Sequence, residues 1–525
     1  MIVDGRGIPN ESIQRADVCV IGAGPAGLFL ADRLARLGGF TVAVLESGDL
    51  AFDATTQELA QGQVEGQAYF PLHETRIRCF GGASWSWGGF LGTLDPIDYE
   101  VRSWIPDSGW PLSDGDLTRY VDEALELCGF PRRSASAANA DTDTNTSSMV
   151  TAVPLHCRGP LRFGREFARA FRDSERITVY LRSTVCELIA HESGAAVSGA
   201  RVVSREGVGW TLSARVYVLA SGGIENPRLL LASNRVHSKG LGNSRDLVGR
   251  YFMEHPRITD RVYLPPGARA LAELPPPAAE GIDFTRLGLT AAAQRQERLL
   301  NSCANVSFGF VGQDGPQWEA VRRLVLSLRA PWNESPYLQF AGGGPSGVRG
   351  RDLMTALGHP MKSMLALAGG AVRPRVLRRY VAIESAFEQP PTPGNRVVLD
   401  ARRDRLGIPL PRLQWTLDES IRQTYERGLP LYLHHLERWI PGLSRQPIVR
   451  GAWPGEVLGT WHHMGTTRMH PDRAKGVVDA NCRVHDLANV YVAGSSVFPT
   501  GGAAAPTLTI IALALRLAEH LAAAR

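Results

Sequence analysis

Two adjacent histidines, His462 and His463, lie in the segment WHHMGTTRM (461–469), directly before a Gly-Thr pair. Imidazole is suited to take a proton from an alcohol, because its unperturbed pKa of about 6.5 is close to neutral. In an extended segment successive side chains face opposite sides, so only one of the two rings can face a given substrate. The other ring is expected to be structural, and an isolated pair of this kind more often only satisfies hydrogen bonds in a core.

A glycine-rich segment near the N-terminus has the pattern of a dinucleotide-binding turn. In VCVIGAGPAG (18–27) an apolar strand precedes Gly22, Gly24 and Gly27, and apolar residues then follow at helical spacing. The first glycine allows a tight turn, the second lets the backbone approach a pyrophosphate, and the third permits close packing of helix on strand. The helix N-terminus adds free N–H groups for the phosphates.

Glu46 ends the next predicted strand and so completes a strand–turn–helix–strand unit. An acidic side chain there accepts hydrogen bonds from ribose hydroxyls and repels a 2′-phosphate, which favours FAD or NAD over NADP.

The chain is predicted to re-enter this unit twice. The first return, over 183–232, ends in a strand, the turn Ser221-Gly222-Gly223 and a helix from about Asn226. The second return runs from a strand at 490 into an apolar helix that Pro506 starts. A cofactor held from both ends favours FAD over NAD. The residues predicted to contact it in these returns are Val185, Gly494, Ser495, Pro506 and Thr507.

Length and composition indicate a globular protein of two or more domains, with 525 residues, 44% of them apolar. The net charge of +5 is spread without dense Lys/Arg blocks, which argues against nucleic-acid binding. Seven scattered cysteines without a CxxC pair argue against a metal site and a disulfide framework. No signal peptide and no integral membrane segment are expected, so the expected location is the cytoplasm.

Taken together, the sequence resembles the glucose-methanol-choline (GMC) oxidoreductases over most of its length. The sequence of the segment GGASWSWGG (81–89) looks closest to that of the bacterial pyranose-oxidase and glycoside-oxidase branch. The segments that carry the resemblance are VIGAGPAG with Glu46, RCFGGASWSWGG (78–89), VLASGGIENPRLLL, DLVGRYFMEHP (246–256), EQPPTPGNRVVL (388–399), WHHMGTTRM and VVDANCRVHDLANVYVAGSSVFPT (477–500).

The resemblance implies an α/β fold, α+β overall, with a Rossmann-like FAD-binding domain of GMC type and a substrate domain built on an antiparallel sheet. The FAD-binding domain is expected to be non-contiguous, over 1–110, 151–259 and 451–525. The substrate domain is expected over 111–150 and 260–450, with a helical insertion at about 319–379. A loop at 132–148 is expected to be a solvated insertion rather than a substrate lid.

The resemblance also implies roles for individual residues. Gly81 and Gly82 are expected to run along the flavin. Covalently flavinylated pyranose oxidases carry a histidine at the position of Ser86, so non-covalent FAD is expected here. His462 matches the catalytic histidine of the family. Members carry a second His or Asn before the proline of the last helix, but this chain has Ala505.

The expected function is oxidation of a secondary alcohol of a sugar, glycoside or glycosylated natural product, with hydride transfer to flavin N5 and His462 as base. The electron acceptor, O2 or a carrier, and the oligomeric state are left open. The second catalytic candidate is His463, whereas His255 is expected to be structural. Ala505 leaves a redox-neutral lyase, cyclase or isomerase open, and a degenerate flavin-binding protein is a third alternative.

Overall fold

The structure is a computed structural model that describes most of the chain. The predicted loop at 132–148 lies outside the described residues except at its two ends, and so does much of the predicted insertion, including 325–349. The described residues are 1–132, 148–157, 161–204, 206–268, 272–274, 284–313, 317–318, 320–321, 324, 350–371 and 375–524.

Helices and strands alternate along the N-terminal part and separate further on. The helices are α1 (Pro25–Leu37), α2 (Ala54–Gln57), α3 (Asp114–Leu127), α4 (Phe163–Arg172), α5 (Gly222–Ala232), α6 (Ala291–Glu297), α7 (Gly350–Gly358), α8 (Pro360–Ala371), α9 (Glu419–Leu436) and α10 (Thr507–Ala523). The strands are β1 (Ile2–Asp4), β2 (Ile13–Ile21), β3 (Val42–Leu45), β4 (Gln63–Gly66), β5 (Val150–Leu155), β6 (Ile177–Leu181), β7 (Thr184–Ala190), β8 (Val197–Val203), β9 (Gly209–Leu219), β10 (Arg257–Tyr263), β11 (Phe284–Leu289), β12 (Ser302–Phe310), β13 (Arg378–Phe387), β14 (Arg396–Arg403), β15 (Pro409–Trp415), β16 (Ile448–Val449) and β17 (Val490–Val492).

The first sheet is the predicted dinucleotide-binding sheet, in the order β1-β6-β3-β2-β9-β8-β7, with β17 also paired to β9. Its centre is parallel, and Val20 lies opposite Val44 on one side and Val218 on the other. The strands here are nearly continuous apolar runs, because a parallel sheet covered by helices buries both faces. The second chain return supplies β17, which places the C-terminal segment beside the GxGxxG turn.

The second sheet is antiparallel, in the order β16-β10-β13-β12-β11-β5. Alternate residues such as Ile258, Val381 and Ile383 are buried in one apolar core with side chains of α9. A third, three-stranded sheet joins β14 and β15 to β4 from the N-terminal region. The predicted combination of a Rossmann-like sheet with a separate antiparallel sheet is confirmed.

Two elements lie on the other side of the predicted domain boundaries. We expected α3 in the substrate domain, but Leu117 and Tyr120 on its apolar face belong to the core of the first sheet, and α3 packs on α10. Conversely, β5 pairs with β11 in the antiparallel sheet, although 151 was expected to begin a piece of the FAD-binding domain. The apolar stripe of α3 predicts that the helix is buried on one side. The order of elements along the chain does not show which sheet it packs on.

Helices α7 and α8 lie within the predicted helical insertion and expose apolar side chains, among them Met354 and Met361. No helix within the described ranges is long and apolar enough to cross a bilayer.

Candidate active site

A cavity of about 820 Å³ runs between the first and second sheets. It brings together twelve of the fourteen residues that the sequence singled out, while Gly27 and Gly81 are not on its wall. The twelve are Gly22, Gly24, Glu46, Gly82, Ser86, Val185, His462, His463, Gly494, Ser495, Pro506 and Thr507.

The glycines of the GxGxxG turn have the three different environments that their roles require. Gly22 has φ +106°, a left-handed conformation that favours glycine. A Cβ at Gly27 would lie 2.0 Å from the carbonyl oxygen of Gly22, so only glycine lets α1 pack this closely on its strand. A Cβ at Gly24 would meet nothing within 4 Å, because Gly24 faces the cavity. The backbone at Gly24 is therefore open to a ligand.

Glu46 is buried at the end of β3 and on the cavity wall. One carboxylate oxygen accepts the Ala23 N–H at 3.0 Å and the other accepts the Gly48 N–H at 2.8 Å. Burial raises the pKa of Glu46 against the lowering effect of these hydrogen bonds. The carboxylate is thereby held in one orientation beside the glycine turn.

The segment GGASWSWGG passes close to that turn. A Cβ at Gly82 would lie 2.9 Å from the Gly24 Cα, whereas a Cβ at Gly81 would lie 2.7 Å from the backbone nitrogen of Gly164. Gly81 therefore packs against α4 and does not line the cavity, although it was expected to run along the flavin. Ser86 lies on the cavity wall and donates its hydroxyl hydrogen to the Ala83 carbonyl at 3.2 Å.

His462 is held by two neighbours at its Nδ1 atom. His255 Nδ1 lies 2.8 Å away and Thr460 Oγ1 lies 2.9 Å away. The Thr460 hydroxyl donates to Glu254 Oε1 at 3.0 Å, so its oxygen is free to accept from His462. Burial is the largest cause that lowers the pKa of His462 well below its ordinary value, which favours the neutral ring.

The hydrogen-bond network assigns the tautomer of His462. His255 Nε2 lies 3.3 Å from the carbonyl oxygen of Gly501, which only accepts, so this nitrogen carries the hydrogen. Burial lowers the pKa of His255 to about 4, so the ring is neutral and its Nδ1 is an acceptor. The hydrogen between the two rings therefore sits on His462 Nδ1. His462 Nε2 then has a lone pair available to act as a base.

His463 is held differently, in the wall between the cavity and a cluster of aromatic rings. Its Nε2 lies 3.0 Å from the Tyr69 hydroxyl, which in turn donates to Glu254. Its ring centroid lies 5.8 Å from that of Phe252. Burial lowers the pKa of His463 to about 3. The two adjacent rings thus have different partners, as the alternation of an extended segment predicts.

Glu254 holds the backbone of both His255 and His462, and sequence reasoning missed it. Its fully buried carboxylate accepts the backbone N–H groups of His255 and His462, each at 2.8 Å. His255 was expected to be structural, but it lies on the cavity wall in contact with His462. No sequence signal joined these residues, because Glu254 and His462 are 208 positions apart.

The antiparallel sheet presents a second set of residues to the cavity that sequence reasoning missed. Arg286 donates to the Asn305 side chain, and the register places Asn305 opposite Glu384, with all three residues on the cavity wall. The opposite face carries the apolar residues that pack on α9. Period-two alternation was therefore the available signal. The residues of this polar face are Arg257, Arg286, Cys303, Asn305, Glu384 and Ala386.

Comparisons with known proteins agree with this architecture. Residues 391–514 match the family model described as GMC oxidoreductase, and residues 20–87 match an NAD(P)-binding Rossmann-like domain. The solved structure of a formate oxidase is similar over 99% of both chains, with a TM-score of 0.57 and 17% identity. In sequence and fold the chain resembles the GMC oxidoreductases, and these matches support an FAD-dependent alcohol oxidoreductase.

Two bacterial oxidases are similar to this chain over nearly their whole lengths. The 6'''-hydroxyparomomycin C oxidase of Streptomyces lividus is 26% identical, over 98% of this chain and 94% of that protein. The C-glycoside 3-oxidase of Microbacterium trichothecenolyticum is 22% identical, over 97% of this chain and 96% of that protein. The expected resemblance to the glycoside-oxidase branch is confirmed.

The cavity fits FAD at both ends. Glu46 and the open backbone at Gly24 suit a ribose and a pyrophosphate beside the N-terminus of α1. Pro506 and Thr507, at the N-terminus of α10, line the same cavity and suit the flavin end. Within the described ranges, no three His, Cys, Asp or Glu side chains come together as a metal site requires.

Proposed function

We propose that this protein oxidises a secondary alcohol of a sugar, glycoside or glycosylated natural product to the ketone, with His462 as the general base. One observation carries the proposal. The unprotonated Nε2 assigned to His462 belongs to a ring on the wall of a cavity shared by the dinucleotide turn and the polar face of the antiparallel sheet.

The chemistry divides between cofactor and protein. FAD, when bound, supplies the acceptor for the hydride that leaves the alcohol carbon. His462 Nε2 takes the hydroxyl proton, and the neutral ring is available for this because burial disfavours its charged form. The contacts of His462 Nδ1 with His255 and Thr460 hold the ring in one orientation. The lone pair of Nε2 therefore keeps one direction. The protein thus holds one proton acceptor in a fixed place.

The names of the relatives support the substrate class. A hydroxyparomomycin oxidase and a C-glycoside oxidase are among the bacterial oxidases that are similar to this chain over nearly its whole length. The polar face of the second sheet supports it too, because Asn305 and Glu384 are suited to bind hydroxyl groups. We also propose that FAD is held non-covalently, since Ser86 occupies the position of the histidine that bonds to flavin in pyranose oxidases.

Ala505 favours a second candidate, a redox-neutral lyase, cyclase or isomerase. Its methyl group lies on the cavity wall, where it cannot donate a hydrogen bond to a substrate oxygen. Loss of one such donor commonly costs about 10²- to 10³-fold in rate. An enzyme that forms no strongly charged oxygen loses less from this alanine.

An anaerobic experiment separates the two candidates. The flavin-loaded protein is mixed with methyl glycosides and secondary alcohols, one at a time, while the visible flavin absorbance is followed. We expect bleaching by glycosides, and its loss in His462→Ala. His434→Ala, which changes an exposed histidine on α9, is the matched control and should bleach normally. Product formation while the flavin stays oxidised would support the redox-neutral candidate instead. Bleaching that survives in His462→Ala would refute the role of this base.

A further inference from the structure

Arg286 projects into the cavity from the middle of the antiparallel sheet. It lies on β11, opposite Val153 of β5, and its neighbour on the other side is Asn305 of β12. Because strand side chains alternate between faces, Arg286 points to the cavity while Leu287 is buried in the core under α9. The guanidinium is therefore part of the surface that a substrate meets.

The contacts of Arg286 hold its head in place without neutralising it. Nε donates to Asn305 Oδ1 at 2.8 Å, and Nη1 lies 3.6 Å from Cys303 Sγ. The guanidinium carbon lies 5.8 Å from the ring centroid of Phe90. None of these partners carries a negative charge. Among the residues that the structure describes, no carboxylate lies within 4.0 Å of Arg286.

Arg257, the other arginine on this face, is different. Its Nη1 lies 3.4 Å from Glu384 Oε1, and the same oxygen accepts from Asn305 Nδ2 at 3.2 Å. The single carboxylate of the polar face is thus shared by Arg257 and Asn305. Where this face lines the cavity, its described residues carry two guanidinium groups and one carboxylate, and the excess positive charge is on Arg286.

We propose that Arg286 binds a carboxylate of the substrate, so that the preferred substrates are acidic sugars or glycosides of the uronic acid type. This inference rests on the proposed glycoside oxidation. The two Nη groups form a planar fork that matches a carboxylate in a bidentate arrangement. An amino sugar would instead bring an ammonium group to a face with excess positive charge, which is unfavourable.

The carboxylate takes no part in the oxidation itself. The alcohol carbon loses a hydride to FAD and the hydroxyl loses its proton to His462, which leaves a ketone and reduced FAD. Arg286 binds and orients the substrate, and its charge also contributes, after burial, to the lowered pKa of His462. Its effect is therefore expected in the concentration dependence of flavin reduction and in the choice among substrates.

The test compares three glycosides that differ in one charged group: methyl β-glucuronide, methyl β-glucoside and the methyl glycoside of glucosamine. With the flavin-loaded enzyme under anaerobic conditions, we expect the half-saturating concentration to be about tenfold lower for the glucuronide than for the glucoside. The glucosamine derivative should bind most weakly. Arg286→Gln should abolish the preference while the glucoside still reduces the flavin.

Matched variants and a binding measurement keep the inference separate from the proposed function. Arg295→Gln removes an exposed arginine paired with Glu100 and should preserve the preference. In His462→Ala, which should not turn over, perturbation of the flavin spectrum by each glycoside gives its affinity directly. Equal affinities, or a preference that survives in Arg286→Gln, would overturn the inference even if glycosides are oxidised. Selective glucuronide binding without flavin reduction in the unaltered enzyme would refute only the proposed function.

Discussion

The Nδ1 atoms of His255 and His462 lie 2.8 Å apart, and this contact fixes which nitrogen of His462 is a base. Because His255 Nε2 donates to Gly501, its Nδ1 can only accept. His462 is thereby held as the tautomer with a free Nε2. His255 is a positioning residue that acts through His462.

Replacement of His255 tests this relationship. In His255→Phe the acceptor for His462 Nδ1–H is lost, so the ring can turn and exchange tautomers. We expect flavin reduction by a glycoside to slow by about one to two orders of magnitude with unchanged FAD content. Stopped-flow absorbance gives the rate, and the flavin-to-protein ratio checks the fold. An unchanged rate would mean that Thr460 alone orients the ring.

The pH dependence of flavin reduction should differ from that of an exposed histidine. Burial lowers the pKa of His462 well below its ordinary value of 6.5, so the ring stays neutral as the pH falls. We expect the rate at saturating substrate to change little between pH 7.5 and pH 6, measured as first-order bleaching in buffers of constant ionic strength. A fall centred on pH 6.5 would contradict the burial of this base.

Stability should decrease in acid because of the same buried rings. The pKa of His255 is about 4 in the folded protein, below the 6.5 of the unfolded chain. The unfolded state therefore binds the proton first, so this contribution is fully present above pH 6.5 and is lost as the pH falls toward 4. It amounts to about 3 kcal/mol of unfolding free energy. Urea unfolding at several pH values should show a shallower dependence in His255→Phe than in the unaltered protein.

Gly82→Ala should weaken FAD binding. Its φ is +54°, and the added Cβ would lie 2.9 Å from the Gly24 Cα, so the turn at Gly24 has to move. We expect about tenfold weaker FAD binding, measured by titration of the flavin-free protein. Gly207→Ala is the control, because Gly207 has φ +87° but open space around its Cβ. Equal effects of the two variants would mean that backbone strain, rather than the close approach, is responsible.

Arg102 and Glu388 form a buried, two-point ion pair that joins the segment before α3 to the end of β13. The distances are 2.8 Å and 2.5 Å, and the side chains are 1% and 0% exposed. Arg102→Met leaves the Glu388 charge buried without its partner, so we expect a loss of about 3–5 kcal/mol in unfolding free energy. The exposed pair of Arg295 and Glu100 is the reference, and Arg295→Met should cost at most about 1 kcal/mol. Urea unfolding measures both, and similar losses would show that burial of the pair is unimportant.

The sequence by itself determined the dinucleotide turn and the return of the chain to it. Gly22, Gly24 and Gly27 act within one strand–turn–helix unit, so their spacing reports their roles directly. The expected change of facing between His462 and His463 likewise follows from local backbone geometry. Resemblance to a family then named His462 as the candidate base.

Only the tertiary structure showed what surrounds that base. His255 is 207 positions from His462, and Arg286 reaches the cavity only because β11 lies within the second sheet. Alternation in a strand shows that one face is polar, but it does not show which cavity that face meets. The same holds for α3, whose apolar stripe predicts burial without naming its partner. Contacts between distant segments depend on how the sheets and helices pack, and no local pattern carries that information.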